Sequence, residues 1–250
     1  MSCTIMISLT FMQHDIFLDG EADNWYDRNE ADLRDSYKGD IMLDYLQTLT
    51  LEGMKILDVG CGNGHRLAKI LDKKKGGVEA YGIEPSAKAV NAKADERLNL
   101  FQGVSHDLSR FPDEMFDIVT VAFVFHWVDR AKLLKTVSEI DRVLKNRGLL
   151  AIADFFPTHP QRRTYHRNPE LGVYTYKQNY PEIFRATNIF QSIYRMNFIH
   201  PNAEHHEWDR NDINLTGGDD HGYLEVFKKD YDGSYPIADI QADSSSPLHR

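Results

Sequence analysis

Several features that mark other classes of protein are scarce in this sequence of 250 residues. Its two cysteines, Cys3 and Cys61, lie far apart and indicate neither a disulfide framework nor a zinc site. No apolar run approaches the roughly twenty residues that cross a membrane, and residues 2–17 lack the basic segment that begins a signal peptide. We therefore expect a soluble, cytoplasmic protein with no membrane partner.

Positive charge is scarce as well, since 29 lysines and arginines stand against 38 acidic residues, for a net charge of −9. A nonspecific nucleic-acid binder needs a basic surface to neutralise phosphates, so nucleic acid is not an expected partner. With 42% hydrophobic residues, the chain has enough apolar side chains for one large core. We expect a loose N-terminal arm over residues 1–22, one α/β domain over residues 23–238 and a disordered tail over residues 239–250, in a monomer or homodimer.

One segment, residues 54–65, combines a buried strand with a glycine-rich turn and reads M-K-I-L-D-V-G-C-G-N-G-H. Gly60, Gly62 and Gly64 permit backbone conformations and a close ligand approach that a Cβ atom would block. A helix is predicted over residues 66–73, and a strand, turn and helix in this order are the context in which a glycine-rich turn binds a nucleotide. The third glycine of a dinucleotide fingerprint would stand at position 65, which is a histidine, so the pattern departs from that fingerprint.

A second acidic position follows this turn at a defined distance. An apolar strand is predicted over residues 78–83 and ends in Glu84, twenty residues after Gly64. An acid at this point of such a fold accepts hydrogen bonds from the two ribose hydroxyls of a nucleoside. We therefore expect Asp58 and Glu84 to lie on either side of one ligand, with Pro85 in the loop beside it.

The rest of the hydrophobic pattern alternates between helices and strands. Further strands are predicted over residues 98–102, 118–125, 149–153, 193–199 and 223–228. Helices are predicted over residues 29–49, over residues 87–94, and from Asp129 to a helix stop at residues 146–148. Since crossover connections between parallel strands are right-handed, this order predicts a doubly wound sheet with helices on both faces. Its ligand would bind at the carboxyl ends of the strands.

Four segments within residues 24–155 stand in the order and spacing of one protein family. They are D-V-G-C-G-N-G, Y-G-I-E-P-S, F-D-I-V and D-R-V-L-K-N-R-G-L-L-A-I-A-D-F, and together they resemble class I S-adenosylmethionine-dependent methyltransferases. The resemblance implies a Rossmann-like, mostly parallel sheet of seven strands with an antiparallel edge pair, S-adenosylmethionine as the cofactor and methyl transfer as the reaction. Residues 165–180 are similar to a narrower branch of small-molecule methyltransferases encoded with bacterial surface-polysaccharide genes.

The resemblance also implies which residues contact the cofactor. They are Asp58, Gly60, Cys61, Gly62, Gly64, Glu84, Pro85 and Phe123, together with one of Ser105, His106 and Asp107 for the adenine ring. In the segment D-N-W-Y-D-R-N, Trp25 is interpreted either as part of a lid that excludes water or as a hydrophobic anchor at the start of a helix. Arg28 in the same segment would meet the carboxylate at the methionyl end of the cofactor.

The acceptor side of the site is predicted from the fourth strand and from the segment after the fifth. His126 follows the fourth strand, and the ordinary pKa of histidine suits a general base, while packing of His126 against Trp127 is the other interpretation. Residues 154–180 mix cations with aromatic rings and are expected to form a small cap, either as a clamp for an acidic substrate or as a solvated basic loop. The expected substrate contacts are Trp127, Phe155, Phe156, Arg163 and Tyr176.

No metal site is expected, because the potential ligands in residues 205–209 lack the helical spacing of a metal motif. We therefore predict a methyltransferase that modifies an oxygen or nitrogen of a small, acidic or sugar-containing molecule by direct displacement. Two alternatives remain open. One is an NAD-dependent oxidoreductase on a similar sheet, and the other is a nonenzymatic protein that binds S-adenosylmethionine.

Overall fold

A seven-stranded sheet organises the computed structural model, which describes residues 12–36, 40–73, 76–199, 218 and 221–235. The strands are β1 (Lys55–Val59), β2 (Glu79–Glu84), β3 (Asn99–Gln102), β4 (Phe116–Ala122), β5 (Leu144–Phe155), β6 (Gln161–Thr164), β7 (Tyr174–Lys177), β8 (Phe190–Ile199) and β9 (His221–Lys229). The sheet has the order β3-β2-β1-β4-β5-β9-β8, in which β9 runs antiparallel to both β5 and β8. The expected seven-stranded, mostly parallel sheet with an antiparallel edge pair is therefore confirmed.

The order of the strands determines where a ligand binds. From β1 the chain moves outward to β2 and β3, and it then returns to β4 on the other side of β1. The connections that follow β1 and β4 therefore lead away in opposite directions and leave a crevice between them. In doubly wound sheets this switch point, at the carboxyl ends of the strands, is where ligands bind. The segments concerned here are residues 60–64 and 123–127.

Helices cover both faces of this sheet. They are α1 (Gln13–Ile16), α2 (Ala22–Ser36), α3 (Ile41–Thr48), α4 (His65–Lys73), α5 (Ala87–Asn91), α6 (Leu133–Val143), α7 (Pro181–Arg185) and α8 (Tyr231–Ser234), with a π-helix over Phe17–Glu21. Along β1, Leu57 and Val59 share a core with α6, whereas Ile56 shares a core with α3 and α4. The two cores confirm the expected helical layers. Among the described residues, no helix is both long and apolar enough to cross a membrane.

Several predicted boundaries are wrong, and local geometry explains them. The helix expected over residues 29–49 is two helices, because Asp40 caps α3 by accepting a hydrogen bond from the first turn at 3.0 Å. The fourth strand ends at Ala122, since Phe123 adopts a positive φ of 57° that interrupts an extended strand. Residues 125–127 then form a 3₁₀ turn.

The described part of the N-terminal arm is helical and packed, so the expectation of a loose arm is wrong for residues 12–22. The buried Gln13 side chain donates to Trp127 O at 2.6 Å and to Tyr174 O at 2.8 Å, and it accepts from Tyr174 N at 2.9 Å. These bonds satisfy buried polar groups of both partners. They attach α1 to β7 and to the turn after β4.

The segment expected to be a cap, residues 154–180, contains the antiparallel pair of β6 and β7. Two other predictions, the tail over residues 239–250 and the loop over residues 205–209, lie outside the described residues. In the part of the chain that is described, no cluster of three or more potential metal ligands occurs.

A buried ion-pair network connects the central strands to the helices beside them. Asp58 on β1 is fully buried and accepts from Arg66 Nη1 at 2.9 Å and from Thr120 Oγ1 at 2.7 Å. Arg66 on α4 also donates through Nε to Asp40, the cap of α3, at 2.9 Å. Because the charges compensate one another inside the fold, the loss of one partner would leave a buried charge unpaired.

We expect Arg66→Met to lower the free energy of unfolding by about 3–5 kcal/mol, because it leaves the Asp58 carboxylate buried without its cation. Urea unfolding followed by circular dichroism measures this loss. Arg97→Met is the matched control, since Arg97 pairs with Asp72 and Asp95 while its side chain is 54% exposed, and an exposed pair contributes at most about 1 kcal/mol. Equal losses in the two variants would contradict the structural role of Arg66.

Candidate functional site

The glycine loop after β1 has a backbone conformation that favours glycine. Gly60, Gly62 and Gly64 have positive φ angles of 72°, 56° and 78°. The backbone N–H groups of Gly60 and Cys61 donate to Ile83 O at 2.8 and 3.3 Å, which attaches the loop to β2. The loop therefore has a defined shape at the carboxyl ends of β1 and β2.

The space around these glycines differs from one to the next. A Cβ atom at Gly60 would overlap Val124 Cγ2, and one at Gly64 would lie 2.6 Å from Leu98 Cδ1. Neighbouring side chains therefore leave no room for a side chain at either position. A Cβ atom at Gly62 would have no described atom within 4 Å. Gly62 is therefore the position at which the loop presents an open side.

Glu84 lies at the carboxyl end of β2 and contacts this loop. Its Oε2 accepts a hydrogen bond from Gly62 N at 3.0 Å, and its Oε1 accepts one from Ser86 N at 3.0 Å. The side chain is half-buried, and the loss of solvation raises the pKa of Glu84 to about 7 against the opposing effect of these two donors. Pro85 stands between the acid and the Ser86 cap of α5. The site thus presents a carboxylate where such folds bind ribose hydroxyls.

Helix α2 covers this part of the site. Asp23 accepts hydrogen bonds from Ser86 Oγ at 2.6 Å and from Lys88 N at 2.9 Å, at the start of α5. Tyr26 is buried, and its hydroxyl accepts from Asn63 Nδ2 in the glycine loop at 3.0 Å. These contacts hold α2 against both the loop and α5, and whether the segment acts as a lid or as a hydrophobic anchor stays open.

Arg28 connects helix α2 to the cap, residues 154–180. Its Nη2 donates to Glu21 Oε1 at 2.6 Å and to Tyr165 OH at 2.5 Å. These two bonds use only the Nη2 group of a guanidinium with five N–H donors, and the expected contact of Arg28 with a methionyl carboxylate stays a prediction. Trp25 is half-buried on the same helix, and its carbonyl accepts from Asn29 Nδ2 at 2.7 Å. Both residues therefore lie on α2, the helix that covers the glycine loop.

Two residues expected to contact the ligand are buried in the packing beneath the loop. Asp58 is fully buried and paired with Arg66, so only Glu84 of the two acids contacts the loop. Cys61 is buried against β2, where a Cβ atom at Gly82 would overlap its Sγ. Burial also raises the pKa of the Cys61 thiol well above its ordinary value. The expected position of Asp58 and Glu84 on either side of one ligand stays a prediction.

The three candidates for adenine binding have different partners. Ser105 is buried, and its hydroxyl lies 3.1 Å from Thr136 Oγ1 on α6. Asp107 is exposed and accepts a hydrogen bond at 3.2 Å from the backbone two residues ahead. His106 is half-buried with its ring centroid 4.5 Å from that of His14, and burial together with His14 lowers its pKa. The choice among the three stays a prediction.

A histidine and an aspartate form a buried pair at the ends of β4 and β5. His126 lies in the 3₁₀ turn after β4. The distance between its Nδ1 atom and Asp154 Oδ1 is 2.9 Å, and its backbone N–H donates a hydrogen bond to Asp154 Oδ2 at 3.2 Å. His126 is 4% exposed and Asp154 is fully buried. Sequence reasoning identified His126 but missed Asp154. The available signal was the acid that ends the apolar strand in A-I-A-D-F, just as Glu84 ends β2.

Aromatic rings lie close to His126. The ring centroids of Trp127 and Phe155 are 5.0 and 4.9 Å from that of His126. Phe123 in turn lies 5.4 Å from Phe155, and Lys177 Nζ is 3.5 Å from the centre of the Phe155 ring. The fold therefore brings Trp127 and Phe155 beside His126, and Phe155 in turn contacts Phe123 and the Lys177 cation.

Three other residues expected to contact substrate lie farther along the cap and the strand that leads to it. Phe156 lies beneath Arg195, whose guanidinium is 4.9 Å from the ring centroid. Arg163 is exposed on β6, and Tyr176 is half-buried on β7. In the described part of the chain, none of the three forms a hydrogen bond or ring contact with His126. Their part in substrate binding stays a prediction.

Comparison with known proteins adds an independent finding. The family model of the methyltransferase domain matches residues 57–152. An uncharacterized methyltransferase of Synechocystis is 32% identical over 104 residues, or 41% of this chain and 47% of that protein. The ribosomal protein L11 methyltransferase of Dictyoglomus turgidum is 31% identical over 116 residues, or 44% and 36% of the two chains. Sterol 24-C-methyltransferase of Aspergillus fumigatus is 32% identical over 139 residues, or 49% and 34%. The chain thus spans less than two thirds of the length of these curated relatives.

Solved structures extend the likeness to the whole fold. The 1,6-didemethyltoxoflavin-N1-methyltransferase of Burkholderia thailandensis, solved with 1,6-didemethyltoxoflavin and S-adenosylhomocysteine, has a TM-score of 0.58 at 14% identity over 86% of this chain and 90% of that chain. Residues 57–152 thus match a methyltransferase domain, and the fold is that of solved S-adenosylmethionine-dependent methyltransferases. These matches agree with the expected cofactor, S-adenosylmethionine, and the NAD-dependent alternative has no support among them. The likeness of residues 165–180 to a surface-polysaccharide branch is also unsupported, since that segment lies outside the matched residues.

We expect Gly62→Ala to fold and to bind S-adenosylmethionine at least about tenfold more weakly, because its Cβ atom would occupy the open side of the loop at a positive φ. Calorimetric titration measures the affinity. Gly60→Ala is the matched variant, in which the overlap with Val124 should destabilise the fold itself by about 1–3 kcal/mol, as measured by thermal unfolding. Unchanged affinity in a folded Gly62→Ala protein would show that the cofactor does not approach this side of the loop.

Proposed function

We propose that this protein transfers the methyl group of S-adenosylmethionine to an oxygen or nitrogen of a small acidic or sugar-containing molecule, with His126 as the general base. The observation that carries the proposal is the position of His126 beside the Asp154 carboxylate and the rings of Trp127 and Phe155. A hydroxyl or protonated-amine acceptor needs such a base to remove its proton.

The described residues fit the cofactor. Gly62 presents the open side of the loop, and Glu84 presents two acceptor oxygens beside it. Glu84 would accept the ribose hydroxyls, while α2, held by Tyr26, would exclude water. When bound, S-adenosylmethionine supplies a methyl group on a positively charged sulfur for direct transfer to the attacking atom. The protein then has to align the acceptor and to remove its proton.

His126 belongs to the acceptor side of this site. Val124, two residues before it, packs against Gly60, so the turn that carries His126 lies directly beside the glycine loop. His126 Nδ1 pairs with Asp154, whereas Nε2 forms no hydrogen bond with the residues that the structure describes. Because His126 is only 4% exposed, an acceptor reaches it after the covering side chains move.

The cap supports an acidic acceptor. Lys177 holds its ammonium group over Phe155, the ring that also contacts His126, and Arg162 lies 4.6 Å over Tyr174 on the neighbouring strand. A carboxylate or phosphate would pair with such cations while a ring or sugar face packs on the aromatic side chains. The curated relatives include proteins named for a ribosomal protein and for a sterol, so the argument for a small acceptor comes from the cap alone.

We expect the affinity for S-adenosylmethionine to fall as the pH is lowered from about 8 to about 6, because Glu84, with its pKa of about 7, loses the charge that best accepts hydroxyl groups. Glu84→Gln has no such charge to lose. It should bind about ten- to a hundredfold more weakly at the higher pH and show less pH dependence. Calorimetric titration of both proteins measures the difference, and an identical pH dependence would show that another group titrates.

We expect His126→Gln to keep its affinity for S-adenosylmethionine within about threefold of wild type and to lose at least about a hundredfold in turnover. The assay uses cofactor with a radiolabelled methyl group and a panel of acceptors that carry a carboxylate or phosphate, each beside its neutral counterpart. A rising limb of the pH–rate profile that depends on this base should disappear in the variant.

His159→Gln is the control for this experiment, because His159 is exposed in the cap and should not affect turnover. Full turnover by His126→Gln would contradict its role as the base. Preference for the neutral member of each acceptor pair would contradict the acidic substrate class.

A further inference from the structure

Asp154 lies near the carboxyl end of β5. It stands opposite Tyr223 of β9 and directly follows Ala153, the last residue of β5 that pairs with β4. The side chain is fully buried. Its carboxylate is therefore carried by a paired strand and is shielded from solvent.

Three nitrogen atoms surround this carboxylate. Oδ1 accepts from Phe155 N at 2.8 Å and lies 2.9 Å from His126 Nδ1, and Oδ2 accepts from His126 N at 3.2 Å. The two backbone N–H groups can only donate, and they stabilise the charged form of the acid. Because a charged carboxylate can only accept, the third nitrogen, His126 Nδ1, is the donor of the remaining hydrogen bond.

This hydrogen bond determines which imidazole nitrogen carries the proton. With Nδ1 protonated, neutral His126 has its basic electron pair on Nε2. The bond from His126 N fixes the turn that carries the ring, and the neighbouring rings of Trp127 and Phe155 restrict its rotation. The basic nitrogen is therefore oriented before an acceptor arrives.

We infer that Asp154 is a positioning residue that holds His126 in the Nδ1–H tautomer, so that Nε2 takes the proton of the methyl acceptor. This role rests on the proposed function. The acceptor's bond to hydrogen breaks, the proton moves to Nε2, the freed electron pair forms the bond to the methyl carbon, and the electrons of the methyl–sulfur bond remain with sulfur. The imidazole becomes a cation in this step, and the carboxylate 2.9 Å away stabilises it.

Asp154→Asn tests this role directly. The variant keeps the shape of the side chain but removes its charge, and its NH₂ group replaces one of the two oxygens that accept from the backbone and from Nδ1, so the preference for the Nδ1–H tautomer weakens. Nitrogen-15 NMR of histidine-labelled protein without any acceptor should show Nδ1–H for His126 in the wild type and a shift toward Nε2–H in the variant. Turnover of the variant should fall by at least about thirtyfold, while its affinity for S-adenosylmethionine stays within about threefold of wild type.

Tyr223→Phe is the matched control, because it alters a buried side chain opposite Asp154 without touching the hydrogen bonds to His126. It should keep the wild-type tautomer and turnover. The Nε2–H tautomer in the wild type would overturn the inference even if Asp154→Asn failed to fold. An unchanged tautomer and turnover in a folded Asp154→Asn protein would overturn it as well. If the wild type shows the expected tautomer but methylates no acceptor, the proposed function fails and the hydrogen-bond assignment stands.

Discussion

The contact between Gly60 and Val124 is the constraint on which the site depends. Parallel pairing of β1 with β4 brings the segments after these strands to the same edge of the sheet. Because Gly60 has no Cβ atom, Val124 packs directly on the glycine loop. A larger residue at position 60 would push the two segments apart and carry His126 away from the loop. The glycine loop and the turn that carries His126, which we propose as the cofactor side and the acceptor side of the site, are therefore in van der Waals contact.

Three carboxylates near this edge of the sheet differ in their partners, and the partners determine what each acid does. Asp58 pairs with the Arg66 cation, so its charge is compensated inside the core and serves stability. Glu84 meets backbone N–H groups while it loses solvation, which raises its pKa to about 7 and leaves an acid that responds to pH near neutrality. Asp154 meets an imidazole, whose second nitrogen then remains basic.

The N-terminal helices join the two sides of the site. Asp23 binds the start of α5, Gln13 binds β7 and the turn after β4, and Arg28 binds Tyr165 in the cap. Hydrogen bonds to charged groups such as Asp23 and Arg28 contribute roughly 1.5–3 kcal/mol each, and those of Gln13 roughly 1 kcal/mol each. These helices are thus held by several separate contacts with α5, β7 and the cap.

The sequence by itself determined the alternation of strands and helices, the glycine loop and the acid at the end of β2, because turn conformation and side-chain periodicity depend on residues that are close in sequence. It also indicated His126 at the edge where the ligand binds. Only the tertiary structure decided that Asp58 pairs with Arg66, that residues 12–22 pack on the domain, and that Asp154 holds His126 across a separation of 28 residues. An acid at the end of an apolar strand has the same local pattern whether it meets a ligand, a cation or a histidine, and its partner is chosen by contacts between distant segments.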